Sequence, residues 1–256
     1  MSQFARFADI LRAMPALGQE DQLPETLLLD RSGSLETFYA PFDHINREAR
    51  IIICGITPGM QQARNALNAA RACLAEGQPY EIAMAEAKKI ASFSGPMRRN
   101  LVELLDGLGL QNWLGIDSCQ QLFGSHSHLA HYTSALRYPV FVNGKDYNGT
   151  PSMLKQASLR RQIETSLSEE VSALSHALFV PLGPRVAEVF QQLVTQGLID
   201  DNRVLAGIPH PSGANAERIA YFLGRKPREA LSNKVNPDKL DRARRSLCDK
   251  ITALSA

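Results

Sequence analysis

The sequence contains no closely spaced cysteines. Its four cysteines, Cys54, Cys73, Cys119 and Cys248, lie far apart and form no CxxC pair. This spacing argues against a zinc ribbon, a four-cysteine iron–sulfur cluster and a disulfide framework. We interpret the four as buried or inert thiols in a reducing compartment.

Long apolar runs are also missing. No apolar run reaches the ~18 residues of a membrane-spanning helix, and the N-terminal segment MSQFARFADILRAM is not apolar enough for a signal peptide. We therefore expect a soluble, cytoplasmic protein without a membrane partner. The formal net charge is only +2, so a nucleic-acid-binding surface has to come from local clusters of basic residues.

Segments with a strand pattern alternate with segments with a helix pattern. Buried strands are predicted at 50–54, 176–183 and 203–208, and 129–142 is strand-like until Pro139 interrupts it. Helices are predicted at 3–14, at 97–106, at 159–174, from Pro184 and at 238–252, and two more within 60–91 with a break near Gly77 and Pro79. The alternation predicts an α/β fold with a mainly parallel sheet and helices on both faces. At 256 residues, we expect one domain spanning 1–256.

Two loops with unusual chemistry follow predicted strands. GITPGM occupies 55–60 and PHPSGAN occupies 209–215. Because ligands of such sheets bind outside the carboxyl ends of the strands, these loops are the candidate site. The first loop has no GxGxxG or GxxxxGK[ST] pattern, which disfavours nucleotide binding there. In the second loop two prolines hold His210 at a fixed angle, from which its imidazole can donate a hydrogen bond to an oxygen that gains negative charge.

Taken together, these loops resemble the two signature loops of the uracil-DNA glycosylase superfamily. GITPG resembles the GINPG loop of the mismatch-specific and thymine-DNA glycosylases, and HPSGAN resembles the HPS loop of several branches. SFSGPMRRNLVELLDGLGL at 92–110 and FVPLGPRVAEVF at 179–190 look like two intervening segments in the right order. The match covers roughly residues 40–225. It implies a three-layer αβα sandwich with a central, mainly parallel sheet of four or five strands, in which 60–91 is a helical insertion.

The resemblance also implies roles for individual residues. Thr57 occupies the position of the group that places or activates the attacking water. His210 occupies the position of the histidine that stabilises the departing base. Phe93 matches the aromatic that stacks on the flipped base, and Ser134 falls where an asparagine often reads the base edge. The rest of the base pocket would be Gly55, Ile56, Pro58, Gly59 and Ser212. DNA contacts are expected from Arg98, Arg99, Ser212, Gly213, Asn215 and Arg218.

Two of these positions depart from the superfamily pattern. Thr57 stands where the family keeps Asn, Asp or Glu, and a hydroxyl carries no negative charge. Losing a general base removes about two to four orders of magnitude of rate. Ser134 cannot present the paired donor and acceptor of an amide, so the sequence does not predict which base is bound.

Three functions stay open on the sequence alone. The leading one is a DNA base-excision glycosylase that flips a damaged or deaminated, uracil-type base and hydrolyses its N-glycosidic bond. The second is a catalytically silent member that binds nucleic acid, and the third is a binder or hydrolase of a free nucleoside or other small molecule. For the leading function we expect a monomer with DNA as its partner and with no metal or cofactor.

Overall fold

The helices and strands follow the sequence pattern closely at most points. A computed structural model of the chain describes residues 2–92 and 95–255. Its α-helices are α1 (Gln3–Ala13), α2 (Met60–Ala75), α3 (Tyr80–Ala91), α4 (Gly95–Asp106), α5 (Leu110–Leu114), α6 (Ala157–Gln162), α7 (Ser168–Ala173), α8 (Pro184–Thr195), α9 (Ala216–Phe222) and α10 (Pro237–Ser255). Its strands are β1 (Leu28–Ser32), β2 (Leu35–Phe38), β3 (Ile51–Gly55), β4 (Ala130–Ser134), β5 (Val140–Val142), β6 (Lys145–Asp146) and β7 (Leu178–Pro181).

The described residues fall into two compact units. The first lies within Met1–Ile45, Ile56–Ser92 and Tyr132–Glu170. The second lies within Asn46–Gly55, Phe93–His131 and Val171–Ala256. The chain passes from the second unit to the first between Gly55 and Ile56, inside the predicted first loop.

The first unit is built on an antiparallel sheet with the strand order β1–β2–β5–β6. Its core is formed by apolar side chains of α1, α2 and α3 together with aromatic residues such as Tyr39, Tyr138 and Phe141. Helix α1 is capped by Ser2, whose hydroxyl accepts a hydrogen bond from the Ala5 N–H at 3.2 Å and so satisfies an otherwise unpaired donor of the first turn.

The second unit contains the parallel pair β3 and β7. Ile51 lies opposite Leu178 and Cys54 opposite Pro181, in a three-stranded sheet with the order β4–β3–β7. All of Ile51–Cys54 is buried, as expected of a parallel strand that is covered on both faces. Helix α8 follows β7 and begins with a proline at its first turn, where the missing N–H costs nothing. Helix α9 packs against α4 and α10.

The α/β class predicted from the sequence is confirmed, and the strands differ from the prediction in two respects. The antiparallel sheet of the first unit was not predicted. The prediction of a strand at 203–208 is wrong except at one residue. Val204 forms an isolated parallel bridge with Phe179, and the rest of this segment is not a strand. Gly207 turns the chain immediately afterwards with φ +113°, and a Cβ there would lie 2.9 Å from the Ala243 Cβ. The segment therefore packs against α10 instead of extending the sheet.

Among residues 2–92 and 95–255, none of the helices combines the length and the apolar composition needed to cross a bilayer.

Candidate functional site

The second loop lies at the carboxyl ends of the parallel strands. The Leu182 N–H, just after β7, donates to the Cys54 carbonyl of β3 at 2.9 Å. Gly183 follows with φ +86°, and a Cβ on it would lie 3.4 Å from the Cβ of His210. The backbone after β7 thus passes directly beneath His210. This is the edge at which ligands of parallel sheets bind.

The surroundings of His210 fix which ring nitrogen carries the proton. The backbone N–H of Ser212 donates to His210 Nδ1 at 3.3 Å, so Nδ1 is an acceptor and has no hydrogen. Burial lowers the pKa of His210 below its ordinary value, which keeps the ring neutral near pH 7. The single ring proton therefore resides on Nε2, and His210 is a neutral hydrogen-bond donor through that atom.

A chain of side-chain hydrogen bonds holds the second loop. Asn100 of α4 donates through Nδ2 to the Pro211 carbonyl at 2.8 Å. Asn215 Nδ2 donates to Ser212 Oγ at 3.2 Å, and Arg218 Nη1 donates to Asn215 Oδ1 at 3.1 Å. Ser212 keeps its hydroxyl hydrogen for another acceptor, because the observed bond uses only a lone pair of Oγ.

A cavity of about 840 Å³ opens beside His210. Three of the expected site residues line it, namely His210, Asn215 and Arg218, and so do Lys234 and Lys239. Glu188 is the acidic side chain among its lining residues. The cationic excess suits an anionic ligand such as a phosphate group.

The two expected phosphate contacts on α4 differ in their surroundings. Arg98 is half-buried and its guanidinium lies over the ring of Phe123, 4.6 Å from the centroid. Arg99 is exposed. Their neighbour Asn100 is the residue that holds Pro211, so both arginines belong to the helix that supports the second loop. Gly213 is exposed and begins the 3-10 turn Gly213–Asn215.

In the first unit, the Thr57 hydroxyl is occupied by the backbone. Its Oγ1 donates to the Tyr138 carbonyl at 3.0 Å and accepts from the Val140 N–H at 3.1 Å. A hydroxyl has one hydrogen and two lone pairs, so one lone pair of Thr57 remains. Thr57 therefore ties the first loop to the start of β5.

The structure brings an acidic residue to the first loop that sequence reasoning missed. Asp146 of β6 accepts through Oδ1 from the Met60 N–H at 2.9 Å, where α2 begins. A Cβ added to Gly59 would lie 2.7 Å from Asp146 Oδ2, so a larger residue there would displace this carboxylate. The only hint in the sequence is a short polar segment, KDYNG, with nothing to connect it to residue 59.

The remaining residues of the predicted base pocket lie close to the first loop or outside the described residues. The Ile56 carbonyl accepts from the Leu136 N–H at 3.0 Å, so Ile56 lies beside the segment that follows Ser134. Ser134 is half-buried at the end of β4, Pro58 is buried, and Gly55 ends β3. Phe93 lies outside the described residues.

Within the described residues, no three side chains of His, Cys, Asp or Glu are grouped in a way that could hold a metal ion.

Comparison with known proteins gives one relative of similar length. No family model matches the chain, and no solved structure matches it significantly. A protein of Bacillus subtilis (strain 168) described as "Uncharacterized protein YoxB" is 35% identical over 233 residues, which is 90% of this chain and 90% of the relative. At that identity and coverage, the chain belongs to the same family as the Bacillus subtilis protein YoxB.

Proposed function

We propose that this chain is a glycosylase-like DNA-binding protein that takes up a flipped damaged or deaminated base, of the uracil type, and hydrolyses its N-glycosidic bond. The proposal includes the finer fold expected from the superfamily, a three-layer αβα sandwich around a central, mainly parallel sheet of four or five strands. We also propose that the protein acts as a monomer and that its partner is DNA.

The observation that carries the proposal is the hydrogen bond that the Ser212 N–H donates to His210 Nδ1 at 3.3 Å. A departing pyrimidine base leaves with negative charge on an oxygen. A neutral imidazole N–H stabilises this oxygen by donating a hydrogen bond, and the proton stays on the imidazole. The Ser212 N–H on Nδ1 directs the His210 proton to Nε2. Arg218, Lys234 and Lys239, which line the cavity, then supply positive charge for the phosphates on either side of the base. The Ser212 hydroxyl, which accepts from Asn215, keeps its hydrogen for a phosphate oxygen.

One observation favours a second function, a silent member of the superfamily that binds DNA without excising a base. The Thr57 hydroxyl already donates to Tyr138 and accepts from Val140, so it cannot donate to a water molecule. It also carries no charge to stabilise an oxocarbenium ion. Excision assisted by His210 alone would be slow, because a missing general base costs about two to four orders of magnitude.

A panel of oligonucleotides tests both functions at once. Duplex and single-stranded DNA bearing uracil, hypoxanthine, xanthine or a mismatched pyrimidine is incubated with the protein, and alkali then cleaves any abasic site. Binding to the same oligonucleotides is measured in parallel. Excision of any of these bases, lost in His210→Ala, supports the glycosylase. Binding without excision supports the silent member, and absence of both rejects the proposal.

A further inference from the structure

The first unit contains a second cavity, of about 690 Å³. It is lined by residues of α1, β1, β2, α3, α6 and α7 and by the segment around Tyr138. Its size falls within the range of small-molecule pockets, roughly 300–1,000 Å³. None of the residues of the second loop lines it.

Asp43 is presented to this cavity in a fixed position. The hydroxyl of Tyr138 donates to Asp43 Oδ1 at 2.7 Å, and that of Tyr39 donates to Oδ2 at 3.0 Å. Lys88 Nζ donates to the carbonyls on either side of Asp43, those of Phe42 at 3.2 Å and His44 at 2.6 Å. Each carboxylate oxygen keeps a lone pair, so Asp43 can accept two parallel N–H donors.

Two guanidinium groups on the same cavity lack an acidic partner. Arg6 and Arg161 both line it. Neither guanidinium group forms a hydrogen bond or ion pair with any residue that the structure describes, although that of Arg6 lies over the Phe7 ring. Arg137, the third arginine of the lining, is neutralised by Glu169 and by the buried Glu170. Two free guanidinium forks suit a phosphate monoester, which carries a charge of about −1.5 to −2 at pH 7.

The helix that carries Arg161 is irregular where it meets the cavity. A π-helical turn, Ile163–Leu167, separates α6 from α7, and its Thr165 and Ser166 line the cavity. The Ser166 carbonyl accepts from Arg137 Nη2 at 3.0 Å. Single π-helical turns inside α-helices are frequent at functional sites.

We propose that this cavity binds a small phosphate monoester with a base that offers two adjacent N–H donors, of the guanine nucleotide type. Arg6 and Arg161 bind the phosphate, and the Asp43 carboxylate accepts the two N–H groups of the base. Asp30 also lines the cavity without an ionic partner among the described residues, so a ligand with donors as well as a phosphate fits better than a simple polyanion. The site goes beyond the proposed DNA function and does not depend on it.

Isothermal titration calorimetry with the full chain tests the proposal. The probes are guanosine 5′-monophosphate, uridine 5′-monophosphate, guanosine and inorganic phosphate. We expect guanosine 5′-monophosphate to bind at least about tenfold more tightly than the other three, since a hydrogen bond to a charged group contributes enough for that factor. Uracil offers one N–H between two carbonyl oxygens, which the carboxylate disfavours.

Variants separate a specific site from general attraction of anions. Arg161→Gln is expected to weaken binding of guanosine 5′-monophosphate by about tenfold or more. Arg160→Gln is the matched control, because Arg160 is the neighbouring residue on α6, pairs with Glu164 and does not line the cavity. Asp43→Asn is expected to remove most of the preference for guanosine over uridine monophosphate, while binding of inorganic phosphate stays unchanged.

Three results would overturn the proposal. The first is the absence of any heat of binding with millimolar guanosine 5′-monophosphate. The second is an equal loss of affinity for this nucleotide in Arg161→Gln and Arg160→Gln. The third is an equal affinity of the unmodified chain for the guanosine and uridine monophosphates. If Asp43→Asn does not fold, these three results still test the proposal. They need only the unmodified chain and the two arginine variants, which change exposed side chains. DNA binding by the second loop is measured separately, so either proposal can fail without the other.

Discussion

The side chain of Thr57 is bonded to the backbone of Tyr138. Thr57 Oγ1 donates to the Tyr138 carbonyl at 3.0 Å and accepts from the Val140 N–H at 3.1 Å. Tyr138 in turn donates its hydroxyl to Asp43. One residue thus connects the first loop with the carboxylate of the second cavity, and the threonine that the sequence suggested as a catalytic group is also a structural one.

Thr57→Ala is expected to lower the free energy of unfolding. The buried Tyr138 carbonyl and Val140 N–H would both lose their partner, and an unsatisfied buried group costs about 1–3 kcal/mol. Thr57→Ser is the matched control, because it keeps the hydroxyl and loses one methyl group, worth less than about 1 kcal/mol. Urea denaturation measures the free energy of unfolding of both variants. Equal destabilisation of the two variants would show that the methyl group, and not the hydroxyl, holds the loop.

Gly59 and Asp146 are expected to be energetically coupled. In Gly59→Ala the new Cβ would lie 2.7 Å from Asp146 Oδ2, so the carboxylate has to move away from the Met60 N–H. That removes the cap at the start of α2, at a cost of about 1 kcal/mol. Asp146→Ala loses the same cap. The double variant should therefore be less destabilised than the sum of the two single variants, and simple additivity in a double-mutant cycle would refute the coupling.

The elements that could be predicted from the sequence are those with strong local signals. The break between α2 and α3 falls at Gly77 to Pro79, and α8 begins at Pro184, as expected. The β1–β2 hairpin was missed although Gly33, with φ +60°, lies at its turn, because the strands are short and one of them is mostly exposed. Alternation of strands and helices predicts a mainly parallel sheet, which leaves no place for an antiparallel hairpin of this kind.

The candidate site was predictable only where its chemistry is local. The interaction of His210 with Ser212 spans two residues, and a rigid Pro-His-Pro-Ser segment suggests it. The partners of Thr57 lie 81 and 83 residues further along the chain, and Asp146 lies 86 residues beyond Met60. Contacts over such distances depend on the tertiary fold, so no pattern in the sequence could reveal them.

Acidification is expected to destabilise the protein through His210. Burial lowers its pKa in the folded state, so below the ordinary histidine value of about 6.5 the unfolded chain binds more protons than the folded one. The stability contributed by neutral His210 is complete above that pH and is lost as the pH falls below it. Protonation also replaces the lone pair on Nδ1 that accepts the Ser212 N–H.

His210→Asn provides the comparison for this pH dependence. The asparagine Oδ1 can accept the hydrogen bond from the Ser212 N–H, and the asparagine side chain does not titrate. Urea denaturation between about pH 7 and about pH 5 should show a steeper loss of stability in the unmodified chain than in the variant. The other charged groups, including the Glu188 carboxylate that lines the same cavity, are common to both proteins. Parallel pH profiles would mean that His210 keeps an ordinary pKa.

DNA binding is expected to depend on salt through α4. Each phosphate contact contributes a slope of about −0.9 to the plot of log affinity against log salt concentration. Arg98→Ala combined with Arg99→Ala should make this slope shallower by up to two such contacts. Arg244 and Arg245, an exposed pair on α10, give a control of equal charge. A salt-independent affinity, or the same change in both double variants, would exclude a specific role for α4.

The last prediction concerns charge at position 57. If the chain is a weak glycosylase, Thr57→Asp should raise excision of uracil from DNA by an order of magnitude or more. One carboxylate oxygen can accept the Val140 N–H, and the other adds negative charge for the developing oxocarbenium ion, where a well-placed group is worth about 3 kcal/mol.

Thr57→Asn separates charge from geometry. Its amide can donate to the Tyr138 carbonyl and accept from Val140, as Thr57 does, but it is neutral. Single-turnover rates on uracil-containing oligonucleotides should therefore rise more in Thr57→Asp than in Thr57→Asn, and His210→Ala in the Asp background should abolish the gain because the base loses its donor. If the unmodified chain is already fast and Thr57→Ala, once shown to be folded, remains fast, another group activates the water. Asp146, bound at the same loop, is then the first residue to replace, since its carboxylate is the one that the structure brings to the start of α2.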